Sequence, residues 1–257
     1  MIPQLFDRGA LRRHRDRAAA APPDAGFLFR EVAERLADRL DDVTVAFPVA
    51  LDIGARDGVL AKALKGRGGI ETLIRLEVSE ALCRAGGGIS AVGEEDRLPF
   101  ARQSFNLIAS NLALHWTQDL PGALVQIKQA LKPGGLFLAS LFGGETLTEL
   151  RHGLLAADAA ASGGAAPRVS PFADLRDAAG LLQRAGFDLP VADLDTIRVS
   201  YDSPFKLMAD LRAMGETNAL DARPRHFARR ALFAELASQQ AGRQAATFQI
   251  IYLSGWA

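Results

Sequence analysis

Asp52, Gly54, Gly58 and Glu77 are the residues whose types and spacing point most directly to chemistry. Val49-Ala50-Leu51 runs into Asp52, Ile53 and Gly54, and Gly58 precedes a helical stretch from Val59 to Leu64. Glycines between a short buried strand and a helix let the backbone turn tightly and approach a ligand. Glu71 to Ser79 reads as a second strand ending in an acid. Glu77 stands about 20 residues after the glycine turn, where nucleotide-binding α/β units place a ribose-binding carboxylate. A carboxylate suits that place because it accepts from both ribose hydroxyls. The competing reading of Glu77 is a charged residue at a strand end.

Acid–base candidates are sparse. His115, in Asn111-Leu112-Ala113-Leu114-His115-Trp116, is the one plausible general base of the central segment, unless its ring only packs at a turn. Tyr252 is a candidate proton donor or a strand aromatic. No iron-ligand cluster or other metal set is visible.

These residues require a frame of alternating strands and helices. Strands are expected at Val49–Ile53, Glu71–Ser79, Ser104–Ser110 and Leu136–Phe142, with a helix to Leu131 closed by the turn Lys132-Pro133-Gly134-Gly135. That alternation implies a parallel sheet with helices on both faces. Phe27 to Leu40 reads as an amphipathic helix. Ala156 to Pro167 reads as a helix end running into a loop, and Ser170 as the cap of the next helix with Pro171 at its first position. The last third carries strand candidates Asp193–Tyr201 and Ala246–Leu253, with helices at Pro204–Met214 and Arg223–Gln240 between them.

The chain has 257 residues, 49% hydrophobic, and formal net charge zero. Neutrality gives no general attraction to nucleic acid. The single cysteine, Cys83, leaves no intrachain disulfide. With no signal peptide read at the start, a reducing, cytoplasmic location is expected. No apolar stretch reaches the ~20 residues of a membrane span. Arg8, Arg12, Arg13, His14, Arg15 and Arg17 crowd an expected helix near the start; Arg-rich starts can mark mitochondrial import, but Asp7, Asp16 and the lack of serine argue against that here. The helix reads as a solvated face, a lid over the ligand pocket or a contact with an acidic partner.

The segments Val49–Gly58, Glu71–Ser79, Gly93–Phe100 and Lys132–Gly135 resemble, in order, the motifs of class I S-adenosylmethionine-dependent methyltransferases. That resemblance implies an α/β, Rossmann-like fold with a seven-stranded, mostly parallel sheet whose last strand is antiparallel. It implies S-adenosyl-L-methionine as cofactor, bound by Asp52, Gly54, Ala55, Arg56, Gly58, Glu77, Val78, Glu94, Glu95, Asn111, Leu112 and Trp116. Glu94 takes the place of the aspartate that accepts from the adenine amine. Arg56 departs from the pattern, which commonly has glycine there. Its side chain would crowd the backbone approach, point outward or pair with the cofactor's carboxylate.

Ser110–Trp116, Leu141–Leu147, Ser170–Phe172, Leu211–Asn218, Gln249–Trp256 and the opening Leu5–Arg8 narrow the resemblance. They are similar to the methyltransferase-like assembly factors of respiratory complex I, which act as protein arginine hydroxylases. Malonyl-acyl-carrier-protein methyltransferases are a neighbouring branch. The implied partner is a protein substrate such as a complex I subunit, contacted by Phe6, Asp7, Gly215, Glu216 and Asn218. Methylation and arginine hydroxylation both fit, as do a non-catalytic assembly chaperone and a small-molecule or acyl-carrier methyltransferase. One domain, 1–257, is expected, with an N-terminal helical segment (1–45), a cofactor-binding core (46–145) and substrate-side insertions with C-terminal strands (146–257).

Overall fold

Val49–Ile53 forms β1, whose last four residues are all buried because an apolar run without alternation needs cover on both faces. The computed structural model describes residues 4–162, 164–239 and 242–257. β1 pairs in parallel with β2 (Thr72–Glu77) on one side and β4 (Phe105–Asn111) on the other. β3 (Ile89–Val92) lies beyond β2, and β5 (Leu131–Phe142) beyond β4, both parallel. β7 (Gln244–Trp256) inserts antiparallel between β5 and the edge strand β6 (Asp188–Tyr201). The seven-stranded order is β3-β2-β1-β4-β5-β7-β6. The strand order reverses between β1 and β4, so the carboxyl ends of these two strands open the crevice where open α/β sheets bind ligands.

Both faces of the sheet are covered. On one lies α2 (Phe27–Asp38), packed through Leu28, Val32 and Leu36 beside the short helix α3 (Val59–Ala63). On the other lie α5 (Leu120–Ala130) and α7 (Leu175–Arg184). α6 (Thr148–Ser162) packs against α9 (Arg230–Gln239). Two helices bear on the crevice. α1 (Arg8–Ala18) is capped by Asp7, whose carboxylate accepts from the Ala10 N–H, and α4 (Glu80–Gly86) is capped by Ser79. α8 (Pro204–Ala213) runs toward α1. Among the described residues no helix is long and apolar enough to cross a membrane.

Several local expectations need correction. Leu131 already pairs with Phe105, and Leu136 with Leu107, so Lys132–Gly135 forms an irregularity inside the strand ladder rather than a separate turn. Ser170 and Pro171 do not start α7. Asp174 caps it, because Phe172 is used in packing against Phe142 and Ala173 bridges to Gly143. The helix expected from Arg223 begins only at Arg230, since Pro224 lacks an N–H and biases Arg223 away from helical backbone. The expected end of that helix, Gln240, lies outside the described residues.

Candidate functional site

The glycine turn joins β1 to α3 with Gly54 at φ 69° and Gly58 at φ 78°. A side chain at Gly54 would meet the Ala113 Cβ at 2.1 Å, so a glycine is required there for packing alone. Arg56 holds a left-handed φ of 50°. The N–H groups of Gly54 and Ala55 both donate to the Leu76 carbonyl, which ties the turn to β2.

Three buried acids gather at this end of the sheet. Glu77 accepts through Oε1 from the Ser79 N–H (3.0 Å) and through Oε2 from the Arg56 N–H (3.0 Å). Oε2 also accepts from Nη1 of Arg15 at 2.9 Å. Glu95 is 1% exposed and takes Arg8 Nη2 at 2.7 Å on one oxygen. Its other oxygen, Oε1, forms no hydrogen bond among the described residues. Burial raises the Glu95 pKa, but Arg15 and Arg8 outweigh that and keep it below the ordinary value. Asp52 is fully buried with neither oxygen hydrogen-bonded among the described residues, and burial pushes its pKa up to about 7. Glu94, the acid expected at the adenine, is instead 43% exposed and only 3.5 Å from Arg8 Nε. The inward-facing acid is its neighbour, Glu95, because a backbone turn separates adjacent side chains.

S-adenosylmethionine fits this donor–acceptor set. Its ribose hydroxyls and amino groups are donors, and buried carboxylates with open lone pairs are the acceptors such groups need. Arg15 and Arg8 of α1 supply those donors themselves in this structure. The other expected cofactor residues line the same end of β1, β2 and β4. Val78 and Leu112 are buried. Asn111 is committed elsewhere: its amide donates to the Phe29 carbonyl and accepts from Ser140, locking β4 to α2 and β5.

A second cluster centres on Glu216, just beyond α8. One of its oxygens pairs with the Arg56 guanidinium. The other accepts from Trp116 Nε1 at 2.9 Å and lies 3.2 Å from His115 Nε2. Burial opposes its charge, yet Arg56 and His115 hold its pKa at about 2. The Arg56 guanidinium also donates to the Met214 carbonyl (2.8 Å) and lies 3.7 Å from the Phe29 ring centroid. Burial and the nearby Arg15 lower its pKa to about 10. Arg56 does not point outward: it is buried and turns across to Glu216.

His115 packs against Phe142 at 4.7 Å between ring centroids, and burial lowers its pKa. A neutral ring with its hydrogen on Nε2 donates to Glu216. Tyr252 is not part of this constellation. Its ring carries Arg39 at 4.3 Å, and its unbonded hydroxyl is pushed up to about 12 by burial.

The N-terminal segment and the loop after α8 meet. The Asp7 N–H donates to the Ala219 carbonyl (2.7 Å), and Phe6 forms an isolated bridge with Leu220. Phe6 packs edge-on to Trp116 at 5.1 Å. The Asp7 carboxylate binds Arg223 (2.7 Å), which with the Ala10 N–H lowers its pKa to about 2. Gly215, at φ 77°, lies so close to α1 that an added Cβ would stand 3.2 Å from the His14 carbonyl and from Ala18. The Asn218 amide donates to the Pro167 carbonyl at 2.7 Å. Beside Glu216 opens a cavity of about 330 Å3, walled by Trp116, Phe142, Phe172, Leu211 and Asn218 among others.

Sequence reasoning missed the inward use of Arg15 and Arg8. A signal existed: Arg8, Leu11 and Arg15 recur at i, i+3 and i+7, one face of a helix, and Leu11 is apolar.

A methyltransferase-domain family matches residues 51–139. The arginine-hydroxylase NDUFAF5, mitochondrial, of Homo sapiens is 38% identical over 265 residues, covering 98% of this chain and 76% of that protein. A malonyl-[acyl-carrier protein] O-methyltransferase from Methylovorus sp. is 32% identical, covering 98% of this chain and 90% of that protein. The crystal structure of the YcgJ protein of Bacillus subtilis superposes with a TM-score of 0.60 at 14% identity, covering 86% of this chain and 97% of that one, which shows the fold. The cytoplasmic location expected from the sequence is overturned, because relatives at 38% identity are named mitochondrial. A lone cysteine is compatible with any reducing compartment and does not single out the cytoplasm. Identity at this level over nearly the whole chain, on this sheet order, places the protein in the methyltransferase-fold family of the NDUFAF5 arginine hydroxylases.

Proposed function

We propose that the protein is an S-adenosylmethionine-dependent enzyme that modifies an arginine side chain of a protein, in the assembly of respiratory complex I. Glu77 receives the ribose hydroxyls, Glu95 the adenine amine and Asp52 the ammonium of the methionine part. The turn from Gly54 to Gly58, with Val78, Leu112 and Trp116, shapes the rest of that site. When bound, the cofactor supplies an electrophilic sulfonium centre. Residues 46–145 hold it, while 1–45 and 146–257 close the acceptor side of one domain.

One observation carries the acceptor assignment. Glu216, buried beside an apolar cavity, already holds a guanidinium, that of Arg56, together with a backbone carbonyl and an aromatic face. A carboxylate paired with a planar guanidinium is a specific recognition geometry, and the acceptor arginine uses the same carboxylate from the cavity side. His115 and Trp116 aim and hold Glu216; alignment of this kind supplies much of the acceleration in group transfer. Mass spectrometry of complex I subunits tests the reading. A strain lacking the protein, or carrying Glu216→Gln, is expected to lose a methyl or hydroxyl mass on an arginine, and unaltered masses would refute it.

Methyl transfer to a malonyl-loaded carrier protein is the second reading. It is favoured by Arg212 on the cavity wall, a cation suited to a free carboxylate. Turnover of that carrier with no change in arginine masses would select it.

A further inference from the structure

We propose that the cavity beside Glu216 is the inner half of a docking groove for an extended polypeptide whose acceptor arginine is flanked by acidic residues. The proposal rests on the acceptor reading of Glu216 and adds the substrate's flanking chemistry to it.

The groove is continuous. A second cavity, of about 300 Å3, is lined by Pro224, His226 and Arg229 and shares Arg168 and Leu232 with the first. Its outer rim is cationic in a chain with formal net charge zero. The segment from Asp221 to Arg230 carries Arg223, Arg225, Arg229 and Arg230 against a single aspartate. Asp7 and Asp221 neutralise Arg223 and Arg225. Arg229 and Arg230 are exposed and form no ion pair among the described residues. α1 adds the exposed Arg12 and Arg13, and Arg17 reaches Thr217 on the cavity wall at 3.3 Å. The field is felt inside: besides its burial, Arg17, Arg223 and Arg13 depress the His14 pKa to about 4.

Phe227, between His226 and Ala228, is 100% exposed. A fully exposed phenylalanine among arginines suits a partner with both acidic and apolar side chains. The polarity along the groove decides between partner classes. Its rim takes anions, but its buried end, Glu216, takes a cation. An anionic lipid surface satisfies only the rim, whereas an acidic peptide with one arginine satisfies both. At ~3.3 Å per extended residue, the acidic positions fall a few residues from the arginine.

Fluorescence anisotropy with synthetic peptides tests this. One peptide carries a single arginine beside an acidic stretch; the other replaces the acids with their amides. The acidic peptide is expected to bind at least about tenfold tighter at low salt, and the difference to shrink at physiological salt. Arg229→Glu with Arg230→Glu should weaken the acidic peptide about tenfold and leave the amide peptide unchanged. The milder Arg229→Gln with Arg230→Gln should show part of that loss, and an unaltered melting curve certifies the fold of each variant. Equal affinity for both peptides overturns the proposal. Charge-reversal-sensitive binding to phosphatidylserine vesicles with no affinity for the acidic peptide also overturns it, making the face a membrane contact. If Glu216→Gln weakens the acidic peptide and charge reversal does not, the guanidinium pocket stands and the groove fails. Loss on charge reversal alone supports the groove and removes the acceptor reading.

Discussion

Arg15 of α1 and Glu77 at the end of β2 form an ion pair of 2.9 Å, with side chains 0% and 1% exposed. The carboxylate we propose for the ribose is therefore held by the protein's own guanidinium. Glu95 stands 3.9 Å from the same arginine. On the proposed cofactor site, S-adenosylmethionine and α1 would compete for one set of acceptors.

Replacing Arg15 with glutamine should have two opposite effects. Stability of the cofactor-free protein should fall by about 3 kcal/mol, because an uncompensated buried charge remains on Glu77. Affinity for S-adenosylmethionine should rise, because its hydroxyls no longer displace a guanidinium. Denaturant unfolding and calorimetry measure the two. A fall in both would show that Arg15 helps to hold the cofactor.

Glu77→Ala should weaken S-adenosylmethionine binding by ~1.5–3 kcal/mol, the range for a hydrogen bond to a charged acceptor. An unchanged Kd in calorimetry would remove Glu77 from the ribose.

Glu216→Gln should lower the rate of target modification by roughly ten- to a hundredfold, since it removes a charge-assisted contact to the acceptor. Cofactor affinity should fall much less than the rate, because Glu216 reaches the three acids only indirectly, through Arg56, whose N–H donates to Glu77. A parallel loss of both would place Glu216 in cofactor binding.

Asp52 and Glu216 should give opposite pH dependences of stability. Folding raises the Asp52 pKa from 3.8 to about 7, so across that window the native state binds more protons than the unfolded chain. Its contribution is present at the acidic end and is lost as pH rises. Asp52→Asn should flatten this slope. Folding lowers the Glu216 pKa from 4.5 to about 2, so its contribution is present above 4.5 and is lost as pH falls toward 2. Urea unfolding across both windows, with Asp52→Asn and Glu216→Gln, separates the two groups. An unaltered slope in Asp52→Asn would mean that Asp52 ionises normally.

The frame was legible because it is written in local periodicity. Val49–Ile53 and Leu136–Phe142 are apolar runs without alternation, and such runs form buried parallel strands wherever flanking helices can cover them. Two left-handed glycines and an acid at nucleotide-site spacing mark the crevice for the same reason, since only particular residue types tolerate those backbone and ligand contacts. Helix starts such as those of α7 and α9 were less legible: Asp174 caps α7 once Phe172 is drawn into packing, and Pro224 keeps Arg223 out of α9.

Which charge meets which was decided by tertiary structure alone. Glu94 and Glu95 are neighbours of one residue type, yet one is exposed and the other buried against Arg8. Arg15 sits among arginines of similar sequence context, yet it alone of α1 is wholly withdrawn onto Glu77. Arg56 crosses to Glu216, 160 positions away in the chain. Ion pairing depends on distance and dielectric in three dimensions, and neither is encoded in local periodicity; the sequence supplies the charges, and the fold pairs them.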